Sequence, residues 1–292
     1  MNVPGPPRVD EGGPIRYPRA MTNLLNSALD TARRAADAAA ALHKEQATSV
    51  GIVDAREKGR ADYVSATDLA AQDACVAVIR ESHPDHAIVA EEGHDRDSDD
   101  TPPSGLAWII DPLDGTTNFL HGHPMHASSV ALAIDGIPAV GAVSCAPTGE
   151  RWWAARGEGA WKNGAPIEVS RVEGTRRALI GTGFPFKTEH LLEEHSAQLV
   201  RVLSATGGVR RGGAAAIDLC YLAEGVFDAF WELFLNPWDF AAGWVIVEEA
   251  GGVVGRVEGG ALRLSSGTVI GANSQSMKKA LHGLIAKPAE ST

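Results

Sequence analysis

A chain of 292 residues is long enough to bury a large core, and two subdomains sharing one interface are the expected arrangement. With 44% hydrophobic and 22% charged residues the composition is that of an ordinary globular protein. The net charge of -11, from 26 basic against 37 acidic residues, excludes a chain built to coat nucleic acid or an anionic membrane. Cys75, Cys145 and Cys220 are widely spaced, so they read as small buried hydrophobes and not as a disulfide framework or zinc ribbon.

Residues 1–20 hold Pro4, Pro6, Pro7, Gly12 and Gly13 and no continuous apolar run, which predicts a disordered tail and not a signal peptide. No segment approaches about 18 consecutive apolar residues, so no membrane span is expected and a cytoplasmic location follows as the default. Residues 23–44 are alanine-rich with apolar side chains at helical spacing and predict a long helix. Residues 57–65 are charged and read as a loop. Thr67 is placed to cap a second helix that runs to about residue 82, where His83-Pro84-Asp85 ends it.

The short apolar run 87–90 predicts a buried strand that stops at Glu91 and Glu92, and an acidic surface loop follows to about residue 104. A second apolar strand, 106–110, also ends on an acid, Asp111. The pattern then turns extended over 130–134, 139–145 and 151–155, and Asn163-Gly164 supplies a hairpin turn. The second half alternates. A strand near 178–181 precedes a helix near 190–203; a helix at 214–223, a strand at 226–231 and a helix at 239–250 follow. Asn273 is placed to cap a last helix reaching residue 285. Together these elements predict a layered α/β protein divided near 146–150: a tail (1–20), an N-terminal α+β subdomain (21–147) and a C-terminal α/β subdomain (148–292).

Acids recur where apolar segments stop. Val89-Ala90-Glu91-Glu92 and Ile109-Ile110-Asp111-Pro112-Leu113-Asp114 place carboxylates at strand ends, and Asn236-Pro237-Trp238-Asp239 places one at a helix start. Gathered in one place they would repel unless a cation neutralised them. An all-oxygen donor set points to a hard ion, Mg²⁺ or Mn²⁺. Pro112 is expected to stop the strand, so that Asp111, Asp114 and the Leu113 carbonyl could face one metal pair. Gly115-Thr116-Thr117 looks like a helix start, whose amides suit a phosphate. Cations between the acids and an anionic substrate would also reconcile the negative net charge with phosphate chemistry. The bland alternative is that Asp111 and Asp114 are turn and cap residues. Which of Glu91 and Glu92 would be the ligand stays open from the residues alone.

At these positions the chain resembles the inositol monophosphatase family of magnesium-dependent, lithium-sensitive phosphatases. The resemblance rests on Trp108-Ile109-Ile110-Asp111-Pro112-Leu113-Asp114-Gly115-Thr116-Thr117-Asn118-Phe119 and on Trp238-Asp239-Phe240-Ala241-Ala242-Gly243 with Glu249-Ala250-Gly251-Gly252. Residues 62–68, 157–164 and 181–186 add to it. It implies a five-layer αβαβα sandwich, a homodimer, and two or three Mg²⁺ ions. By the same resemblance Glu91, Asp111 and the Leu113 carbonyl would hold one ion, and Asp111, Asp114 and Asp239 a second. Asp68 would support a third, through water, near Glu91. Glu91 and Thr116 would activate the attacking water, and the Gly115 and Thr116 amides would bind phosphate. Asp114, the Ala215 backbone, Glu232 and Asp239 would meet substrate hydroxyls. The implied activity is hydrolysis of a small phosphorylated metabolite, inositol monophosphate first, without a covalent intermediate, and without nucleic-acid or membrane partners. Histidinol phosphate, fructose 1,6-bisphosphate or nucleotide 3′-phosphates are alternative substrates for the same chemistry, and a catalytically silent regulatory or scaffold protein is the alternative of another class. Ala214 stands where many members carry Ser or Thr. His121, His123 and His126 do not have zinc-site spacing and are expected to line the pocket rim or face solvent. Arg210 and Arg211, before the Gly212-Gly213 turn, are expected to form surface ion pairs, with a phosphate contact as the alternative.

Overall fold

Alanine determines how the first helix packs. In the computed structural model, which describes residues 21–49, 51–59, 62–92 and 104–286, helix α1 (Thr22–Gln46) buries Ala28, Ala32, Ala35, Ala36 and Ala39. Their small side chains let its backbone lie close to the neighbouring layer, and α1 packs on strands β5 (Ala127–Ile134) and β6 (Ile137–Cys145) and on helix α2 (Ala66–Ser82). The expected tail, 1–20, and the acidic loop beyond Glu92, 93–103, lie outside the described residues.

Between α1 and α2 the charged stretch is not a simple loop. It forms a small antiparallel hairpin of β1 (Arg56–Gly59) and β2 (Asp62–Val64). The cap of α2 is Ser65 and not Thr67: the Ser65 hydroxyl accepts from the Thr67 amide, and the Asp68 carboxylate reaches back to the Ser65 amide in a capping box.

The first sheet has seven strands in the order β3-β4-β5-β6-β7-β8-β9. These are β3 (Ala87–Ala90), β4 (Leu106–Asp114), β5, β6, β7 (Glu150–Ala155), β8 (Ala160–Lys162) and β9 (Ala165–Ile167). Only β3 and β4 run parallel, with Ala90 opposite Ile110. Their carboxyl ends therefore deliver Glu91 and Asp111 side by side. Pro112 does not stop β4 as expected: the strand continues to Asp114, with a shift in register between Asp111 and Asp114. A bulge bends a strand while keeping it paired, and here it turns successive acids toward one place. The division expected at 147/148 falls between β6 and β7, two paired strands of this sheet. The chain leaves the first sheet only after Ile167.

The second sheet runs β11-β10-β12-β14-β13. Its strands are β10 (Leu179–Thr182), β11 (Gly208–Arg210), β12 (Ala229–Leu233), β13 (Val253–Gly255) and β14 (Thr268–Ala272). Helices α5 (Ala215–Ala223) and α6 (Pro237–Glu249) lie between the sheets, while α4 (Leu192–Ala205) and α7 (Gln275–Ile285) cover the outer face of the second. The order is α1/α2, sheet, α5/α6, sheet, α4/α7, the five-layer α/β sandwich expected. Ten residues of α6 are buried, as a helix enclosed between two sheets requires. It crosses β6 so closely that a Cβ at Gly141 would stand 2.6 Å from the Ala242 carbonyl oxygen. The last helix is capped by Ser274, whose hydroxyl accepts from the Met277 amide, and not by Asn273.

Trp152 and Trp153 face opposite sides of β7, as adjacent strand residues must. Trp152 is buried beside the inner helices, and Trp153 is half-buried on the α1 side beneath the Arg33 guanidinium, 4.0 Å away. All three cysteines are buried and unpaired. No helix among the described residues is long and apolar enough to cross a membrane.

Candidate active site

The bulged end of β4 leads into α3 (Thr116–Leu120) through Gly115, whose φ of +84° is the left-handed conformation that favours glycine. Beside this turn opens a cavity of about 340 Å³. Glu91, Asp111, Leu113, Asp114, Gly115 and Thr116 line it. Ala215, Glu232 and Asp239 arrive from α5, β12 and α6. Of the expected site residues only Asp68 does not line it. Its Oδ2 accepts from the Ser65 amide and hydroxyl, and its Oδ1 accepts from the Thr116 hydroxyl at 3.0 Å. Asp68 therefore stands behind Thr116 instead of facing the cavity.

Each aspartate is anchored by one oxygen. Asp111 Oδ1 accepts from the Leu113 amide at 3.0 Å, Asp114 Oδ2 from the Ala216 amide at 2.7 Å, and Asp239 Oδ2 from the Asn236 amide at 2.7 Å. Such anchoring fixes the orientation of groups that ligate an ion. Glu91 lines the cavity while Glu92 turns aside to the Lys58 ammonium at 2.8 Å, and Lys58 also reaches Glu91 at 3.4 Å. The Gln72 side chain clamps the Glu92 backbone on both sides, 2.8 Å from its carbonyl oxygen and 2.9 Å from its amide.

Burial and mutual repulsion raise these carboxyls together. Asp111 is pushed well above the usual carboxylate range, first by burial and then by Glu91, Asp114 and Asp239. Asp114 is raised by burial and then by Asp239. Asp239 is pushed up to about 7 by burial and by Glu91, and it stands within hydrogen-bonding reach of Asp111. Two ionised carboxylates cannot hold that arrangement unless a proton or a cation lies between them. The oxygen-only donor set and the shared excess of negative charge fit a divalent hard ion. Among the described residues no three acidic, histidine or cysteine side chains stand close enough together to hold an ion as they are placed here.

Other contacts were not legible in the sequence. The Asn118 amide nitrogen donates to the Met125 carbonyl at 2.6 Å and to the Gly212 carbonyl at 3.0 Å, tying α3 to the turn before α5. Arg211 lines the cavity instead of forming a surface ion pair, with its guanidinium 5.4 Å from the rings of Phe184 and Phe186. Lys187 and Asp218 also line it. None of His121, His123 and His126 does. His126 is buried against Phe119 and His43, and the other two are exposed. No side chain caps α5 at Ala214.

The sequence model of the Inositol monophosphatase family matches residues 24–292. Among similar proteins, an inositol-1-monophosphatase of Synechocystis is 41% identical over 234 residues, which span 80% of each chain. A protein of Pseudomonas aeruginosa called Nus factor SuhB is 39% identical over 263 residues, covering 89% of this chain and 95% of its own. The solved structure of an inositol monophosphatase from Anabaena superposes with a TM-score of 0.79 at 34% identity, over 90% of this chain and 96% of that one.

Proposed function

We propose that the chain, which belongs to the inositol monophosphatase family, hydrolyses the phosphate ester of a small polyol, inositol monophosphate first, with Mg²⁺ as its cofactor. The observation that carries this reading is the convergence of Glu91, Asp111, Asp114 and Asp239, far apart in sequence, on one cavity beside a glycine turn and a helix start.

Glu91, Asp111 and the Leu113 carbonyl would hold one ion, and Asp111, Asp114 and Asp239 a second. When bound, the ions supply Lewis acidity that spreads phosphoryl charge and makes water a better nucleophile near neutral pH. The Thr116 hydroxyl donates to Asp68 Oδ1 and to the Leu113 carbonyl, each at 3.0 Å. Toward the cavity Thr116 can then only accept, which orients a water proton. Glu91 is the neighbouring carboxylate placed to take that proton as the water attacks. The Gly115 and Thr116 amides face the phosphoryl oxygens. The ester hydroxyls meet Asp114, Glu232, Asp239 and the Ala215 backbone. No side chain needs to carry the phosphoryl group covalently. Lithium would inhibit by taking one of the ion positions, and a cytoplasmic homodimer belongs to the same proposal.

The experiment is a substrate panel of inositol 1-phosphate, histidinol phosphate, fructose 1,6-bisphosphate and 3′-phosphoadenosine 5′-phosphate, assayed with Mg²⁺ or Mn²⁺ and with EDTA. Metal-dependent release of phosphate, fastest from the inositol ester, is expected. Dominant turnover of another ester would move the substrate and keep the chemistry; no turnover of any would reject the phosphatase reading.

A second reading draws on the relatives called Nus factors. In it the chain acts through the transcription machinery, a partner that its negative charge did not suggest. Asp111→Asn separates the two: it should end hydrolysis and leave a partner-binding role untouched.

A further inference from the structure

One wall of the cavity holds two acids that do not belong to the set around Asp111. Glu232 comes from β12 and Asp218 from the first turn of α5. Both are cradled by glycines. A Cβ at Gly183 would collide with the Glu232 carboxyl, and one at Gly212 would stand 2.5 Å from Asp218 Oδ1. An acid in the first turn of a helix ordinarily serves that helix's own amides. Here the Ala216 amide is taken by Asp114; the Gly212 backbone serves the Asp218 carboxyl, yet its Oδ1 meets no full hydrogen-bond partner although Asp218 is only 1% exposed. A carboxyl oxygen buried without a partner is costly, and this side chain lines a cavity that a ligand enters. Asp218 and Glu232 line the same cavity; burial pushes Asp218 up to about 8, and burial and then Asp218 raise Glu232. A cationic ligand group is disfavoured there, because Arg211 and Lys187 line the same cavity and Arg211 acts electrostatically on both acids.

We infer that Asp218 is a specificity-determining residue that, with Glu232, binds neighbouring hydroxyls on the carbon frame of the substrate. The inference rests on the phosphatase reading of this cavity and adds to it a residue and a substrate feature. It concerns which alcohol the site prefers; the attack on phosphorus is left to the groups around Asp111.

The test compares inositol 1-phosphate with cyclohexyl phosphate, the same ring without its hydroxyls, on the full chain and on Asp218→Ala and Asp218→Asn. Losing one buried hydrogen-bonding group should raise KM for the inositol ester about tenfold in Asp218→Ala and about threefold in Asp218→Asn, which keeps an acceptor oxygen. KM for cyclohexyl phosphate and the magnesium concentration for half-activation should stay at wild-type values, and the melting midpoint should not fall. An equal rise for both esters, no rise for either, a changed magnesium requirement, or loss of the fold in both variants would overturn the inference. If the wild type hydrolyses neither ester, the phosphatase reading falls, and calorimetric titration with free inositol in magnesium and phosphate decides here. Binding that weakens in Asp218→Ala would uphold the hydroxyl-reading role; equal binding, or none, would overturn it.

Discussion

Replacing Asp239 by asparagine should stabilise the metal-free protein while ending its activity. Asparagine keeps an acceptor for the Asn236 amide, which Asp239 Oδ2 holds at 2.7 Å, and its NH₂ can donate to Asp111. What it removes is a carboxyl that burial and Glu91 raise from the usual 3.8 to about 7. Because the folded state holds this proton more tightly than the unfolded chain, stability falls as pH rises from about 4 to 7, and the loss is complete above that window. At about 1.4 kcal/mol per pH unit the ceiling is about 4 kcal/mol. Partial exposure of Asp239 and a proton shared with Asp111 reduce the expected gain at pH 8 to about 2 kcal/mol, or about 4–8 °C in melting midpoint for a domain of this size. The assay is thermal melting in EDTA at pH 5 and pH 8, repeated with Mg²⁺. In EDTA the variant should melt above wild type at pH 8 and show a flatter pH dependence. With Mg²⁺ the order should reverse, because the variant lacks one ligand of the second ion and gains less binding energy from magnesium than wild type. A variant less stable than wild type in EDTA at pH 8, with unchanged pH dependence, would refute the reasoning.

Gly115→Ala forces a side chain into a left-handed conformation at about 1–2 kcal/mol and sets its Cβ 2.9 Å from the Met125 carbonyl oxygen; melting should drop and KM for the phosphate ester rise. Ala214→Ser supplies the hydroxyl that α5 lacks at its N-cap and should add about 0.5–1 kcal/mol, read as a small rise in melting midpoint with kcat unchanged. Arg156→Met breaks the contact of a fully buried guanidinium with Glu248 at 2.5 Å and with the Pro138 carbonyl at 3.1 Å. It should lower stability by about 3 kcal/mol in chemical denaturation, leaving the metal requirement as it was.

What could be read in advance follows from the kind of signal each element leaves. β4 and α6 are nearly all apolar, so an acid at the edge of either one stands out, and Asp111 and Asp239 were visible for that reason. The bulge was not visible: proline at 112 is a sound reason to end a strand, and pairing on both sides of it comes from β5. β1 is largely exposed and β2 is only three residues long, so the hairpin leaves no alternating pattern to read. Thr67 and Ser65 are equally good caps by residue type, and the choice falls to Asp68, three residues after Ser65, completing the capping box. The same bond turns Asp68 away from the cavity, which no local pattern reveals. Asp218 sits in an apolar helix and resembles a first-turn acid; only Gly212, and a cavity wall that includes Glu232 of β12, show that it faces the cavity. Arg211 looked like a surface residue because the two rings beside its guanidinium belong to a loop about 25 residues earlier.

The most direct measurement is the anomalous scattering of crystals grown with Mn²⁺. Peaks should appear among Glu91, Asp111, Asp114 and Asp239, with the Leu113 carbonyl in one coordination shell. Crystals that diffract well and show these four carboxylates apart, with no ion between them at saturating manganese, would contradict the account.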